Sequence, residues 1–171
     1  MSTLPDLEPH TFTAERYHAA DADPARGAPP LVARLATDTG AHWVDASGLD
    51  AFLARSGEQV LFFHGDPVRF PEVLDVAVVL PELCRHAQRQ FGHGYDIGVV
   101  ARHDEDAIAR RFGVTHWPAL VFLREGRWVD TLSGMQDWDV YLQRLQAVAT
   151  KPASRPPIAI QASGQGAPGC R

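Results

Sequence analysis

Thiol exchange, metal binding and nucleophilic catalysis each need particular side chains at particular spacings, and this chain supplies few of them. It has two cysteines, Cys84 and Cys170. They make no CxxC pair, no zinc-type spacing and no disulfide framework. Cys84 lies beside Arg85 in a helical stretch and reads as a small buried hydrophobe. The histidines, His10, His18, His42, His64, His86, His93, His103 and His116, form neither HxxxH nor HExxH. His64 and His116 meet only if two separate loops converge, and zinc would then need two further ligands. Lys151 is the one lysine, placed in a stretch rich in Pro and Gly. There is no GxSxG elbow and no phosphate-cradling glycine loop, so no metal and no cofactor is expected. What remains is recognition chemistry. Asp66, Glu72 and Asp75 surround Pro67 and Phe70, and Trp117 stands before Pro118. Asp104, Glu105 and Asp106 form a second acidic group, read as helix-start acids favoured by the macrodipole.

Those residues must be held by a fold, and the composition allows one. The chain has 171 residues, 45% hydrophobic and 22% charged, which is ordinary globular usage and one domain's worth of core. A net charge of −5 argues against nucleic acid, which requires a basic face. The longest unbroken apolar run is five residues, as in VAVVL at 76–80, far short of the ~20 residues that span a bilayer. No membrane insertion is expected. The first residues carry neither a basic flank nor an apolar stretch, so a cytoplasmic location is expected.

Residues 1–30 hold Pro5, Pro9, Pro24, Pro29 and Pro30 with no apolar period, and read as a flexible N-terminal arm. Residues 151–171, rich in Pro, Gly, Ser and Ala, read as a flexible C-terminal tail. Between them, residues 31–150 alternate helices and strands. Leu31, Val32 and Leu35 start a short amphipathic helix that ends near Gly40. His42, Trp43 and Val44 make a short strand, and Ser47 with Asp50 reads as a variant capping box for the next helix. Residues 59–63 (QVLFF) are apolar throughout, as expected at a sheet centre. A loop then leads to a helix over 82–91, with Pro81 at its first turn. Residues 97–101 are a second buried strand, and Asp104 caps a helix closed by Gly113. Residues 119–123 and 128–132 form a hairpin about Glu125 and Gly126. Asp137 caps a last helix with Trp138, Tyr141, Leu142, Leu145 and Val148 on one face, Trp43 and Trp138 being read as packing residues. The order implies an α/β fold, a central mixed β-sheet flanked by helices.

One stretch is more specific than this pattern. RFGVTHWPALVFLREG, residues 111–126, resembles the thioredoxin-fold motif of helix end, Gly-Val, proline, apolar strand and Gly turn. The resemblance implies a cis bond before Pro118. It also implies where redox chemistry would lie: Pro67 and Phe70 stand where that fold carries its two cysteines, and Leu61 replaces its buried aspartate. The expectation is thus a thioredoxin-like fold lacking the CxxC motif. The segments FFHGDPVRFPEVLDVAVVLPEL, DEDAIARRFGVTHWPALVF and LSGMQDWDVYLQRL together resemble the HyaE/HoxO/HupG family of [NiFe]-hydrogenase maturation proteins, over about 31–149.

The resemblance implies a non-catalytic chaperone for the small-subunit precursor of an uptake hydrogenase. Such a chaperone would bind the twin-arginine signal peptide before export and help guard the iron–sulfur clusters. The expected binding residues are Asp66, Pro67, Phe70, Glu72, Asp75, His116, Trp117 and Pro118. Burying ~300 Å² of apolar peptide gives roughly 7 kcal/mol before ordering costs. An exposed ion pair gives ~0.2–1 kcal/mol. The apolar surface should therefore hold the peptide, while the acids select basic sequences and speed encounter. Two other functions compete: a thiol-dependent redox enzyme using Cys84, and a scaffold for another hydrogenase accessory protein.

Overall fold

The computed structural model describes residues 23–157. The elements run α1 (Pro30–Asp38), β1 (His42–Val44), α2 (Leu49–Leu53), β2 (Glu58–Phe63), α3 (Val73–Phe91), β3 (Asp96–Val100), α4 (Glu105–Phe112), β4 (Ala119–Arg124), β5 (Arg127–Ser133) and α5 (Trp138–Thr150). The five strands lie in the order β1-β3-β2-β4-β5. β1, β3 and β2 are parallel, whereas β4 is antiparallel to β2 and β5 to β4. A parallel βαβ half joined by a helix to an antiparallel hairpin and a last helix is the thioredoxin-like arrangement.

The strand period of two divides the core. Val60 and Phe62 face α1, α3 and α5, packing with Val76, Leu80, Tyr141 and Leu145. Leu61 and Phe63 face the other way, onto Phe52, Ile108 and Phe112 of α2 and α4. Each of these side chains is at most 5% exposed, and full burial of one contributes roughly 1.5–3 kcal/mol. Gly98 lets the sheet close against α2: a Cβ there would lie 2.8 Å from both Leu61 Cδ2 and Phe52 Cζ.

Several local expectations change. The helix expected over 82–91 begins nine residues earlier, at Val73, and carries Pro81 in its interior. Val73, Val76, Ala77, Leu80, Leu83 and Ala87 are all buried on the sheet. That continuous stripe outweighs the ~3 kcal/mol that an interior proline costs. Ser47 does not cap α2. It donates instead to Asp45 Oδ1 (2.8 Å), which also accepts the Gly48 N–H (2.7 Å). Asp104 occupies the N-cap position of α4, but its carboxylate accepts the Ala46 N–H at 2.7 Å and so ties the β1–α2 loop to α4. Asp137 likewise stands at the N-cap of α5 without a side-chain cap bond. Trp43 packs against the core from a half-buried position. Trp138 is 43% exposed and meets His86 edge-on, because Tyr141, Leu145 and Val148 carry the buried face of α5.

The described chain extends beyond both ends of this fold. Ala28 packs on the core ahead of α1. After α5, Arg124 donates to the Lys151 carbonyl (2.7 Å), and the Ser154 N–H donates to the Trp128 carbonyl (2.7 Å). The remainder of the two expected flexible segments, 1–22 and 158–171, lies outside the described residues.

Candidate functional site

Two loops meet at one end of the sheet, one following β2 and one preceding β4. In the first, Gly65 has φ +69°, a conformation costly for any residue with a Cβ. Space demands glycine as well, since a Cβ there would stand 3.0 Å from both Phe70 Cδ2 and Trp117 Cδ1. Asp66 builds the following turn. Its carbonyl accepts the amides of Arg69 (3.0 Å) and Phe70 (2.9 Å), and its carboxylate accepts that of Val68 (2.9 Å). The turn lays the Phe70 ring on Trp117, with centroids 6.3 Å apart and planes at 25°. Arg69 covers the outer side of Phe70, its guanidinium carbon 5.5 Å from the ring centre. In the second loop the Trp117–Pro118 bond is cis, and the Pro118 carbonyl accepts the Gly134 N–H at 2.7 Å. Thr115 Oγ1 and His116 Nδ1 lie 2.9 Å apart.

Between the loops is a hollow of about 300 Å³, lined by Gly65, Arg69, Phe70, Arg102, Asp106, Thr115, His116 and Trp117. Its support is a buried polar pair. Glu105, fully buried, accepts the Gly65 N–H with one oxygen (2.8 Å) and Arg102 with the other (3.1 Å). Burial pushes the Glu105 carboxyl up to about 7, with the Gly65 amide and Arg102 opposing. His64, also fully buried, has Nδ1 at 2.9 Å from the Gly65 carbonyl, which fits a proton on Nδ1. Burial draws its pKa down to about 4. Among the described residues, His64 Nε2 and Trp117 Nε1 find no hydrogen-bond partner.

Of the residues expected to bind, Phe70, His116 and Trp117 come together around the hollow. Asp66 and Pro67 belong to the turn that shapes it, and Pro118 is buried at the entry to β4. Glu72, half-buried at the N-cap of α3, and Asp75, exposed in its first turn, stand outside the lining. Arg69, Arg102 and Thr115 escaped sequence reasoning; Asp106, read as a helix-start acid, also lines the hollow, and Glu105, read the same way, lies beneath its floor. A usable signal was the Arg102/Glu105 pair three residues apart, across the end of a buried strand. Cys84 is half-buried in α3, its thiol pushed up to about 12 by burial, and so holds almost no thiolate at neutral pH. Among the described residues no group of three His, Cys, Asp or Glu could hold a metal ion. No helix among them is long and apolar enough to cross a membrane.

A thioredoxin-like domain whose loop after β2 carries Pro67 and Phe70 and no cysteine defines the class: the scaffold without a thiol pair. Comparison with known proteins gives the family. The model of Hydrogenase-1 expression protein HyaE matches residues 31–141, and the chain belongs to that family. It is 50% identical over 131 residues to hydrogenase expression/formation protein HoxO of Cupriavidus necator, covering 75% of this chain and 79% of that protein. To HoxO of Azotobacter vinelandii it is 42% identical over 142 residues, covering 82% and 93% respectively. It also matches a crystal structure of a HupG-type hydrogenase expression/formation protein from Rhodopseudomonas palustris, with 40% identity, 63% and 93% coverage and a TM-score of 0.44. The chain is thus a hydrogenase expression/formation protein.

Proposed function

We propose that the protein is a non-catalytic assembly chaperone for the small-subunit precursor of a [NiFe]-hydrogenase, acting in the cytoplasm before export. The observation that carries this reading is the stacked Phe70–Trp117 pair in a loop with no thiol. The cleft offers aromatic surface and a hollow but no nucleophile for disulfide exchange. A twin-arginine signal peptide has the matching chemistry, an apolar stretch beside basic residues. In this reading Phe70, Trp117 and His116 grip the apolar part, the turn at Pro67 and the buried Pro118 setting the course of the two loops that carry them, while Asp66, Glu72 and Asp75 attract the basic part. Arg69 and Arg102 at the hollow keep the arginines of the peptide out of the aromatic slot and on the acidic side. Holding the precursor in this way also keeps its iron–sulfur subunit shielded during assembly.

The test is co-purification with the small-subunit precursor, with and without its signal sequence. Capture of the full precursor and loss of capture without the signal are expected. Equal failure with both forms overturns the chaperone reading. Equal capture of both moves recognition from the signal to the folded subunit.

A further inference from the structure

The hollow between the two loops carries more charge than an apolar slot requires. Arg69 and Arg102 line it against a single acid, Asp106. Among the described residues Arg69 and Asp106 make no ion pair. Arg69 lies over the Phe70 ring at 5.5 Å, a contact that steadies the guanidinium without neutralising it. Arg102 is anchored by Glu105, Nη1 to Oε2 at 3.1 Å. Burial brings that carboxyl to about 7, so at neutral pH it offsets the charge of Arg102 only in part. Trp117 adds a donor. It lines the hollow, and its buried indole N–H finds no acceptor among the described residues. An indole nitrogen can only donate, and buried donors in native proteins are nearly always paired.

We propose that this hollow is a binding site for a single carboxylate group, held by the guanidiniums of Arg69 and Arg102 and by the Trp117 indole N–H. Charge selects the class. Two guanidiniums against one aspartate leave one positive charge, which suits a monoanion better than a phosphate dianion. Geometry agrees, because a guanidinium fork matches the two coplanar oxygens of a carboxylate. Size agrees as well. About 300 Å³ is at the lower end of ligand cavities and admits a carboxylate on a short stem, with the Phe70 and Trp117 rings beside the stem. An aspartate or glutamate side chain of a partner polypeptide and a free small carboxylate share this chemistry. The inference goes beyond the signal-peptide reading and does not depend on it.

The test titrates the full-length, nitrogen-15-labelled protein with sodium acetate at neutral pH and constant ionic strength. The Trp117 indole resonance, assigned by its loss in Trp117→Phe, is followed by NMR. A saturable shift is expected there, with the indoles of Trp43, Trp128 and Trp138 unmoved. Arg69→Gln alters an exposed side chain and should weaken acetate binding ~10-fold, the factor carried by one charge-assisted hydrogen bond. Asp106→Asn removes the one opposing charge and should tighten binding, an effect that a damaged fold does not produce. A Trp117 resonance that stays in place or moves without saturating overturns the proposal, as does an affinity unchanged by both substitutions. A blocked pentapeptide with a central glutamate, compared with its glutamine counterpart, separates the two sources. A glutamate peptide that binds more tightly than both acetate and the glutamine peptide assigns the site to a partner's side chain. Acetate binding without peptide binding assigns it to a free small carboxylate. Equal binding of the two peptides overturns carboxylate recognition. Co-purification with the precursor reads a different contact, so either reading can fail without the other.

Discussion

The Glu105 carboxylate accepts the Gly65 amide at 2.8 Å, joining the head of α4 to the loop after β2 across 40 residues of sequence. Its second oxygen holds Arg102, which lines the hollow. The protonation state of one buried acid is therefore felt both by the backbone that shapes the cleft and by a charge inside it.

That linkage fixes a pH dependence. Folding raises the Glu105 pKa from 4.5 to about 7. Its contribution to stability is thus fully present below about 4.5 and lost as pH rises through about 7. His64 acts oppositely: its pKa falls from 6.5 to about 4, so its contribution is present above 6.5 and lost as pH falls through 4. Melting curves of wild type and Glu105→Gln between pH 4.5 and 8 should separate the two. The stability of wild type relative to the variant should decline as pH rises across this window. A difference that stays flat with pH would remove the titration from Glu105.

Gly65→Ala should destabilise the protein by about 1–3 kcal/mol, the cost of a left-handed non-glycine residue, with a Cβ crowding Phe70 and Trp117 in addition. Urea denaturation measures the loss. A change in Trp117 fluorescence at unchanged secondary structure would localise the disturbance to the cleft.

Trp117→Ala and Phe70→Ala each remove half of the stacked pair. Both residues are half-buried, so the fold should survive. Precursor binding by either variant should weaken by about 2 kcal/mol, the scale of an aromatic hot spot, or roughly 30-fold in Kd. Titration calorimetry with a synthetic signal peptide reads this directly, and unchanged affinity in both variants would remove the cleft from recognition.

Glu72→Lys combined with Asp75→Lys reverses two charges at the start of α3, outside the hollow. Association with a basic peptide should slow at low salt, with dissociation little changed and the difference fading as salt is raised. Stopped-flow association at two ionic strengths checks it; an association rate equal to wild type at low salt would show that these acids do not steer.

Sequence reasoning served best where burial is two-sided. The QVLFF run and the ALVFL run pair antiparallel at the sheet centre, Leu61 opposite Val121, because apolar residues on both faces permit few other placements. The loop around Gly65 and the Trp117–Pro118 segment were marked by glycine and proline, whose backbone demands are local. The start of α3 was hidden because Pro81 imitates a helix beginning, and only the stripe from Val73 to Ala87 on the sheet reveals the longer helix. Glu105 was hidden because helix-start acids are usually solvated. Its burial depends on contact with Gly65 and Arg102, which sequence spacing discloses only in part.

The short pairing of Ser154 with Trp128 lies on the outer margin of β5, the last strand of the sheet. Lys151 reinforces it, its ammonium 4.9 Å from the centre of the Trp128 ring. A margin left bare offers unpaired amides and carbonyls to any passing strand. The stub after α5 therefore covers that margin at Trp128, and a chain shortened before residue 154 is expected to leave the position open to a foreign strand, an outcome that light scattering of the shortened chain would read.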